Sequence, residues 1–437
     1  MSNPQGGDGN SAGNSLGLAV GATTVACTGD GHRPVLRPAS VTLEPGVTLT
    51  GFVDRVGDPV PMVAEDGSQH RPESLLATAL DGAARAAAAA PVSEVAVAVP
   101  AHWRPSMVDA LRGALRSKSG LARSPVVSDA AAALTALRSN PGLPSAGVIV
   151  LCDFGGSGSS ITLVDAAAND APIGETVRVH DFSGDRIDQT VLARVVAGVF
   201  DASGADPAGT SMVGSLGRLR DECRRAKERL SDETATAIVV DVPGLETTVR
   251  MTRMELEGLI DESLAEFTAA LFDTLDRNRV PLASISAAAT IGGGARIPLV
   301  TQRLSEHLRT AVVTTPQPQL TAAAGAALIA GRSRIVEAAT TVAPAAPVAA
   351  AAVVGAEAAP TVTALAWSEV EDEPHVEQPY VPTPADSRPE IEFRRDEWDD
   401  WNEQTQPRRR GPALLFGLAA AAAVVAGVAF GLTTLTR

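Results

Sequence analysis

The sequence predicts a two-lobed α/β fold with a cleft between the lobes, followed by a linker and one apolar C-terminal helix. Three observations carry this expectation. A strand–glycine turn–strand unit occurs twice, at residues 15–27 and 148–164, as in an internally duplicated fold. Strands alternate with helices around both copies, the pattern of an α/β architecture. Residues 412–432 then run for 21 positions without a charge.

The second unit is the stronger. V-I-V-L-C at 148–152 is a short apolar, β-branched run that reads as a buried strand. Asp153 follows, then Gly155, Gly156 and Gly158 interleaved with serines, then a second strand at 161–164. Glycine supplies the positive φ of a tight turn and lets backbone N–H groups approach a phosphate. A carboxylate just before such a turn is placed to hold Mg2+ through its water shell, which makes Asp153 a candidate metal ligand. A plain hairpin would satisfy the same pattern. The first unit runs into Gly21-Ala22-Thr23-Thr24 and carries Ala19 where the second carries Asp153.

The remaining elements follow in order. Residues 1–14 read as a disordered leader, and they lack the basic and apolar regions of a signal peptide. An alanine-rich helix spans 75–90, a strand 95–99 ends at Pro100, and a helix follows at 106–115. Asp129 is placed to cap a helix over 130–138. These residues, 15–139, form the first lobe, and N-P-G-L-P-S-A at 140–146 leads to the second, at 146–332.

In the second lobe F-S-G-D at 182–185 opens a helix over 187–200. Residues 212–230 place Leu216, Leu219, Cys223, Ala226 and Leu230 on one helical face. Hairpin strands at 237–242 and 247–251 precede a capping box, Thr252 with Glu255, that opens a long helix. A strand at 287–291 enters Gly292-Gly293-Gly294, Pro298 opens a helix, and 320–331 closes the lobe with another.

Composition narrows the function. The net charge of −15 argues against nucleic acid as a partner. Residues 367–406 carry 13 Asp/Glu against 3 Arg, so this stretch alone holds −10 of that charge. Cys27, Cys152 and Cys223 lie far apart with no CxxC spacing, which predicts reduced, buried thiols.

Taken together these pieces resemble the nucleotide-binding domain of the seventy-kilodalton heat-shock chaperones, the DnaK-like family of the actin-like ATPase superfamily. The likeness runs from about residue 16 to 332. Residues 16–24 are similar to the family's first phosphate loop and 148–163 to its second. V-A-V-P-A-H-W at 97–103, the segment 126–134 with Asp129, and F-S-G-D-R-I-D at 182–188 resemble further motifs. R-R-A-K-E-R-L-S at 224–231 looks like the adenosine-contacting helix, and I-G-G-G-A-R-I-P at 291–298 like the adenosine motif. The resemblance implies an actin-like ATPase fold that binds ATP or ADP, with Mg2+. The positions it carries over as nucleotide-binding are Gly21, Thr23, Asp153, Gly155, Gly156, Gly184, Lys227, Ser231, Gly292, Gly293 and Arg296.

The departures bear on chemistry. Ala19 replaces the first loop's aspartate and Ala22 its first threonine. Gly158 and Ser160 replace the second loop's threonine and second aspartate. No lysine lies near Arg55-Val56-Gly57-Asp58, where the family carries its catalytic lysine. Hydrolysis needs a positioned water, metal-ligating acids and a cation on the γ-phosphate. Asp153 remains, with Asp129 a shorter replacement for a glutamate and Asp185 and Asp188 nearby. Each lost preorganised group costs about 10²–10³ in rate. The expectation is nucleotide binding with little or no turnover.

Beyond residue 332 the family's peptide-binding half is missing. Residues 333–410 read as an Ala/Pro-rich and then acidic disordered linker. Trp398 and Trp401, in D-E-W-D-D-W at 396–401, make that segment a candidate partner site; a self-repelling spacer is the alternative. Residues 411–433 read as a transmembrane helix, since 21 helical residues span ~30 Å; a peripheral or buried helix is the alternative. Arg408-Arg409-Arg410 precede it, which by the positive-inside rule puts the large domain in the cytoplasm at the cell membrane. The expected role is a membrane-tethered regulatory or partner-recruiting module. The alternatives are a weak ATPase serving as a chaperone component and an actin-like polymer former.

Overall fold

The computed structural model describes residues 15–43, 46–88, 92, 94–203, 212–243 and 245–341. These lie in one compact unit, Met1–Val348. The leader, the acidic tract with its tryptophans and the apolar run at 412–432 fall outside the described residues.

Two mixed sheets form the frame. The first is built from β1 (Ser15–Val20), β2 (Thr24–Thr28), β3 (Val35–Pro38), β4 (Glu94–Val99) and β5 (Val126–Ser128), in the order β3-β2-β1-β4-β5. β1 and β2 are an antiparallel hairpin, while β4 pairs parallel to β1 and β5 parallel to β4. The second sheet contains β6 (Val148–Phe154), β7 (Ser159–Asp165), β8 (Ala171–Pro172) and β9 (Val177–Val179), joined by two strands from later in the chain. A separate hairpin, β10 (Ala235–Val242) with β11 (Leu245–Thr252), precedes those two, β12 (Ile285–Ile291) and β13 (Val312–Val313). β6 and β7 are antiparallel, β12 pairs parallel to β6 and β13 parallel to β12. The second sheet repeats the plan of the first, a glycine hairpin followed by two parallel strands. The duplication expected from two glycine turns is therefore present in the topology, consistent with the lobes of an actin-like ATPase.

The helices are α1 (Pro72–Ala87), α2 (Pro105–Leu115), α3 (Asp129–Ser139), α4 (Gly184–Ser203), α5 (Met212–Arg229), α6 (Arg253–Arg277), α7 (Pro298–Leu308) and α8 (Thr321–Thr341). Side-chain period decides which layer each strand face meets. Along β1, Leu16, Leu18 and Val20 enter a core with Leu76 and Leu80 of α1 and Leu111 of α2. The alternate residues are small. Ala19, with Ala26, Ala96 and Ala98 of neighbouring strands, packs on Ala323, Ala326 and Ala330 of α8. A methyl carbon on Gly17 would lie 1.9 Å from the Ala323 carbonyl oxygen, so only glycine admits α8 there.

Along β6 the same rule holds. Val150, Cys152 and Phe154 face a core where Phe154, Phe182 and Phe267 meet with ring centroids 4.8–6.2 Å apart. Ile149 and Leu151 face Ala133, Leu134 and Leu137 of α3. α3 and α8 thus lie between the sheets. They touch closely, because a methyl carbon on Gly325 would lie 1.7 Å from the Ala132 carbonyl oxygen. α8, grouped by sequence with the second lobe, packs against the first sheet.

Several element ends differ from expectation. α1 begins three residues earlier than 75, with Pro72 in its first turn, and ends at Ala87. Proline fits there because the first turn has no use for its missing N–H. The cap of α3 is Ser128, whose hydroxyl accepts from the Ala131 N–H; Asp129 is the first helical residue and accepts instead from the Ala101 N–H at 2.9 Å. α4 begins at Gly184 rather than 187. The capping box of α6 is complete: Thr252 Oγ1 accepts from the Glu255 N–H, and Glu255 accepts from the Thr252 N–H. Cys27, Cys152 and Cys223 are free and buried, as expected. Burial pushes the thiols of Cys27 and Cys152 up to about 12 and that of Cys223 to about 11. Among the described residues no helix is long and apolar enough to cross a membrane.

Candidate functional site

The two glycine turns meet at one cleft. Gly21 N–H donates to the Thr24 carbonyl at 2.8 Å, closing the first turn, and Gly155 N–H donates to the Gly158 carbonyl at 3.0 Å, closing the second. A methyl carbon on Gly156 would lie 2.0 Å from Thr23 Oγ1, so the turns are in contact. The N-terminus of α4 is tied to the second turn: Gly184 N–H donates to the Gly155 carbonyl at 3.0 Å and Asp185 N–H to the Gly156 carbonyl at 2.8 Å.

Gly292, at φ +83°, brings the end of β12 against the end of β6; a methyl carbon there would lie 2.4 Å from Asp153 Oδ1. No residue but glycine fits that approach. Gly293 differs, since a methyl carbon there would have no atom within 4 Å. It borders open space, a cleft of about 260 Å³.

All eleven sequence-derived positions, Gly21, Thr23, Asp153, Gly155, Gly156, Gly184, Lys227, Ser231, Gly292, Gly293 and Arg296, line this cleft. So do Ala19, Asp129, Asp185 and Asp188. Some of the cations are already engaged. Lys227 Nζ lies 2.7 Å from Asp188 Oδ1 and donates to the Gly184 carbonyl at 3.1 Å, both side chains being mostly buried. Arg296 pairs with Asp232, and Asp185 faces Arg220 at 3.8 Å. Arg55, from the segment where the resemblance leaves no lysine, pairs with Asp58 at 3.0 Å and does not line the cleft; its neighbour Asp54 does.

Arg178, on β9, was not among the expected residues. Its guanidinium donates to Ser160 Oγ at 3.1 Å and to Ser157 Oγ at 3.0 Å, both on the second turn and its strand. Its largest electrostatic partners are Asp153, Asp54 and Asp129. Burial, together with the Asp153 charge, raises the Asp129 carboxyl to about 8, and burial raises Asp153 above its ordinary range. His102, at the end of β4, is lowered to about 4 by burial and by Arg178 and His180. Its Nδ1 and Gln319 Oε1 are buried at the cleft without hydrogen-bond partners.

These features fit a nucleotide better than they fit Mg2+. Two glycine turns, open space at Gly293 and two unpartnered polar atoms are chemically compatible with a polyphosphate and a base. For a divalent cation the donor set is poor. Among the described residues no three acids or histidines group as metal ligands, and the carboxyls of Asp153 and Asp129 are both shifted toward the protonated form. A guanidinium already faces them.

A model of the Hsp70 protein family matches residues 52–342, two thirds of the chain. The chain belongs to the Hsp70 family. It is similar to the chaperone protein DnaK of Elusimicrobium minutum, 26% identical over 341 residues, which cover 73% of this chain and 53% of that protein. It is also similar to a heat shock 70 kDa protein of Oryza sativa subsp. japonica, 28% identical over 49% of this chain and 32% of the relative. A third relative is a ribosome-associated molecular chaperone of Zygosaccharomyces rouxii, 27% identical over 58% of this chain and 42% of the relative. This Hsp70-family chain thus spans about half, or less, of the length of the curated relatives it matches. The sequence features that bear on Arg178 are non-local: Gly158 and Ser160 adjoin it only once β7 and β9 pair.

Proposed function

We propose that this Hsp70-family chain binds ATP or ADP in the cleft and hydrolyses it slowly or not at all. The observation that carries the reading is the convergence of the two glycine turns, the N-terminus of α4, the end of α5 and the Gly292–Gly294 turn on one cleft. A cleft between two glycine turns, with open space beside Gly293 and the unpartnered His102 Nδ1 and Gln319 Oε1, supports binding. Turnover asks for more: Ala19 supplies no acid, Arg55 is held away by Asp58, and the acids present fit a metal poorly. A phosphate-release assay on the purified chain tests this. Negligible multiple turnover alongside measurable binding is expected; steady turnover that is lost in Asp153→Ala would overturn it.

The biological role we propose is a regulatory or partner-recruiting module. The acidic segment around Trp398 and Trp401 offers aromatic anchors for a protein partner, and the apolar run after Arg408-Arg409-Arg410 offers a membrane tether with the large domain in the cytoplasm. Truncation before Arg408 should move the protein from the membrane to the soluble fraction. A full-length chain already soluble without detergent would remove the tether. The chaperone names of the relatives favour a second reading, a slow ATPase in a chaperone system, which predicts phosphate release stimulated by unfolded peptide.

A further inference from the structure

The two departures of the second glycine turn have a common structural consequence. A methyl carbon on Gly158 would lie 2.7 Å from Arg178 Nε, 2.8 Å from the Val179 carbonyl oxygen and 2.9 Å from Arg178 Cζ, so a side chain at that position would displace the guanidinium and press on the backbone of β9. Ser160, where the resemblance calls for an aspartate, instead accepts a hydrogen bond from Arg178. Ser157, at the tip of the turn, accepts the other. Glycine and serine here make and furnish the seat of an arginine.

That arginine is half-buried, lines the cleft and forms no ion pair among the described residues. Two of its five N–H donors are used on serines. A guanidinium fixed in this way presents planar, paired donors suited to phosphate oxygens, and its charge cannot be removed by deprotonation. Nearby acids, Asp153, Asp54 and Asp129, feel its charge without pairing with it.

We infer that Arg178 is a built-in cation for the phosphate end of the cleft, binding the nucleotide's terminal phosphates directly and making polyphosphate binding independent of a divalent metal. This rests on the proposed nucleotide reading and deepens it. On this reading the phosphate-binding charge comes from the second lobe, where β9 delivers Arg178 beside the glycine turn, and not from the first, where Arg55 is held by Asp58.

The test is equilibrium titration of the full chain with ATP, ADP and adenosine, each in excess Mg2+ and in EDTA. Wild type should bind ATP with the same affinity, within about threefold, in both buffers. Arg178→Gln should lose about 10–100-fold toward ATP in EDTA, the scale of charged hydrogen bonds, while its adenosine affinity stays at the wild-type value. Arg178→Lys, which keeps the charge but not the fork, should lose less. Ser157→Ala with Ser160→Ala, which unseats Arg178 without removing it, should weaken ATP selectively and guards against a folding defect in Arg178→Gln. ATP binding by wild type that vanishes in EDTA, or equal loss of ATP and adenosine in every variant, would overturn the role of Arg178 and leave the nucleotide reading standing. No binding of any nucleotide by wild type would overturn both.

Discussion

Thr23 and Gly156 touch: the hydroxyl of one glycine turn lies where a side chain of the other would begin, 2.0 Å from a methyl carbon built on Gly156. The turns come from different sheets, so this contact sets how closely the two lobes approach at the phosphate end of the cleft. Gly156→Ala should push them apart, costing about 1–3 kcal/mol in overpacking and reducing nucleotide affinity. Thermal denaturation beside a binding titration would check both. Combining it with Thr23→Gly should recover most of the stability; no recovery would mean that the clash is not the cause.

The contact between α3 and α8 sets the cost of a substitution at Gly325, and the open helix face at Gly113 gives the opposite sign. At Gly325 a methyl carbon meets backbone, 1.7 Å from the Ala132 carbonyl oxygen, and no rotamer change relieves that. Gly325→Val should destabilise by about 3 kcal/mol or more. Gly113, in α2, has nothing within 4 Å, and Gly113→Ala should stabilise by about 0.5–1 kcal/mol through helix propensity. Denaturant melts of both variants would reveal whether α8 is seated as closely as the alanine seam implies.

The pair Lys227–Asp188, with side chains 12% and 4% exposed, ties α5 to the start of α4. Removing one partner strands a buried charge, so Lys227→Met should cost about 3–5 kcal/mol. The double variant Lys227→Met/Asp188→Leu should cost clearly less than the single. Weaker nucleotide binding in Lys227→Met therefore has two origins to separate, a lost ligand contact and a loosened α4, and the double variant separates them.

His102 makes the cleft acid-sensitive. Its imidazole is lowered to about 4 in the folded chain, from an ordinary value of 6.5, mainly by burial. Between those values the unfolded chain binds the extra proton, so stability falls as pH drops from 6.5 toward 4. Above the ordinary value this contribution is constant. Between about pH 7 and 5 the wild-type Tm should fall by about 2–4 °C more than that of His102→Gln. Parallel profiles for the two proteins would show that His102 is solvated and titrates normally.

Much of this architecture could be read from local pattern. Residues 148–164 announced strand, turn and strand through β-branching and glycine, and the capping box of Thr252 and Glu255 appeared with both hydrogen bonds. The eleven candidate positions reached one cleft because each lay in a motif whose spacing fixes its place on a turn or helix end. The role of α8 was not legible. Alanine carries no directional preference, and only the pairing of β1 with β4 shows that Ala19, Ala96 and Ala98 share a face for it. Arg178 was missed for a similar reason. An arginine in V-R-V reads as the solvated side of an edge strand, and its inward course depends on Gly158, twenty residues earlier in sequence and adjacent only after β7 and β9 pair.

Occupation of the cleft bordered by Gly293 by nucleotide can be read from one calorimetric titration. ADP added to the full chain should bind saturably with one site. In Gly293→Leu, which fills the open space without meeting any described atom at its Cβ, the heat of binding should vanish while the melting temperature holds. No saturable heat with the wild-type chain, or unchanged binding in Gly293→Leu, would rule out nucleotide in this cleft.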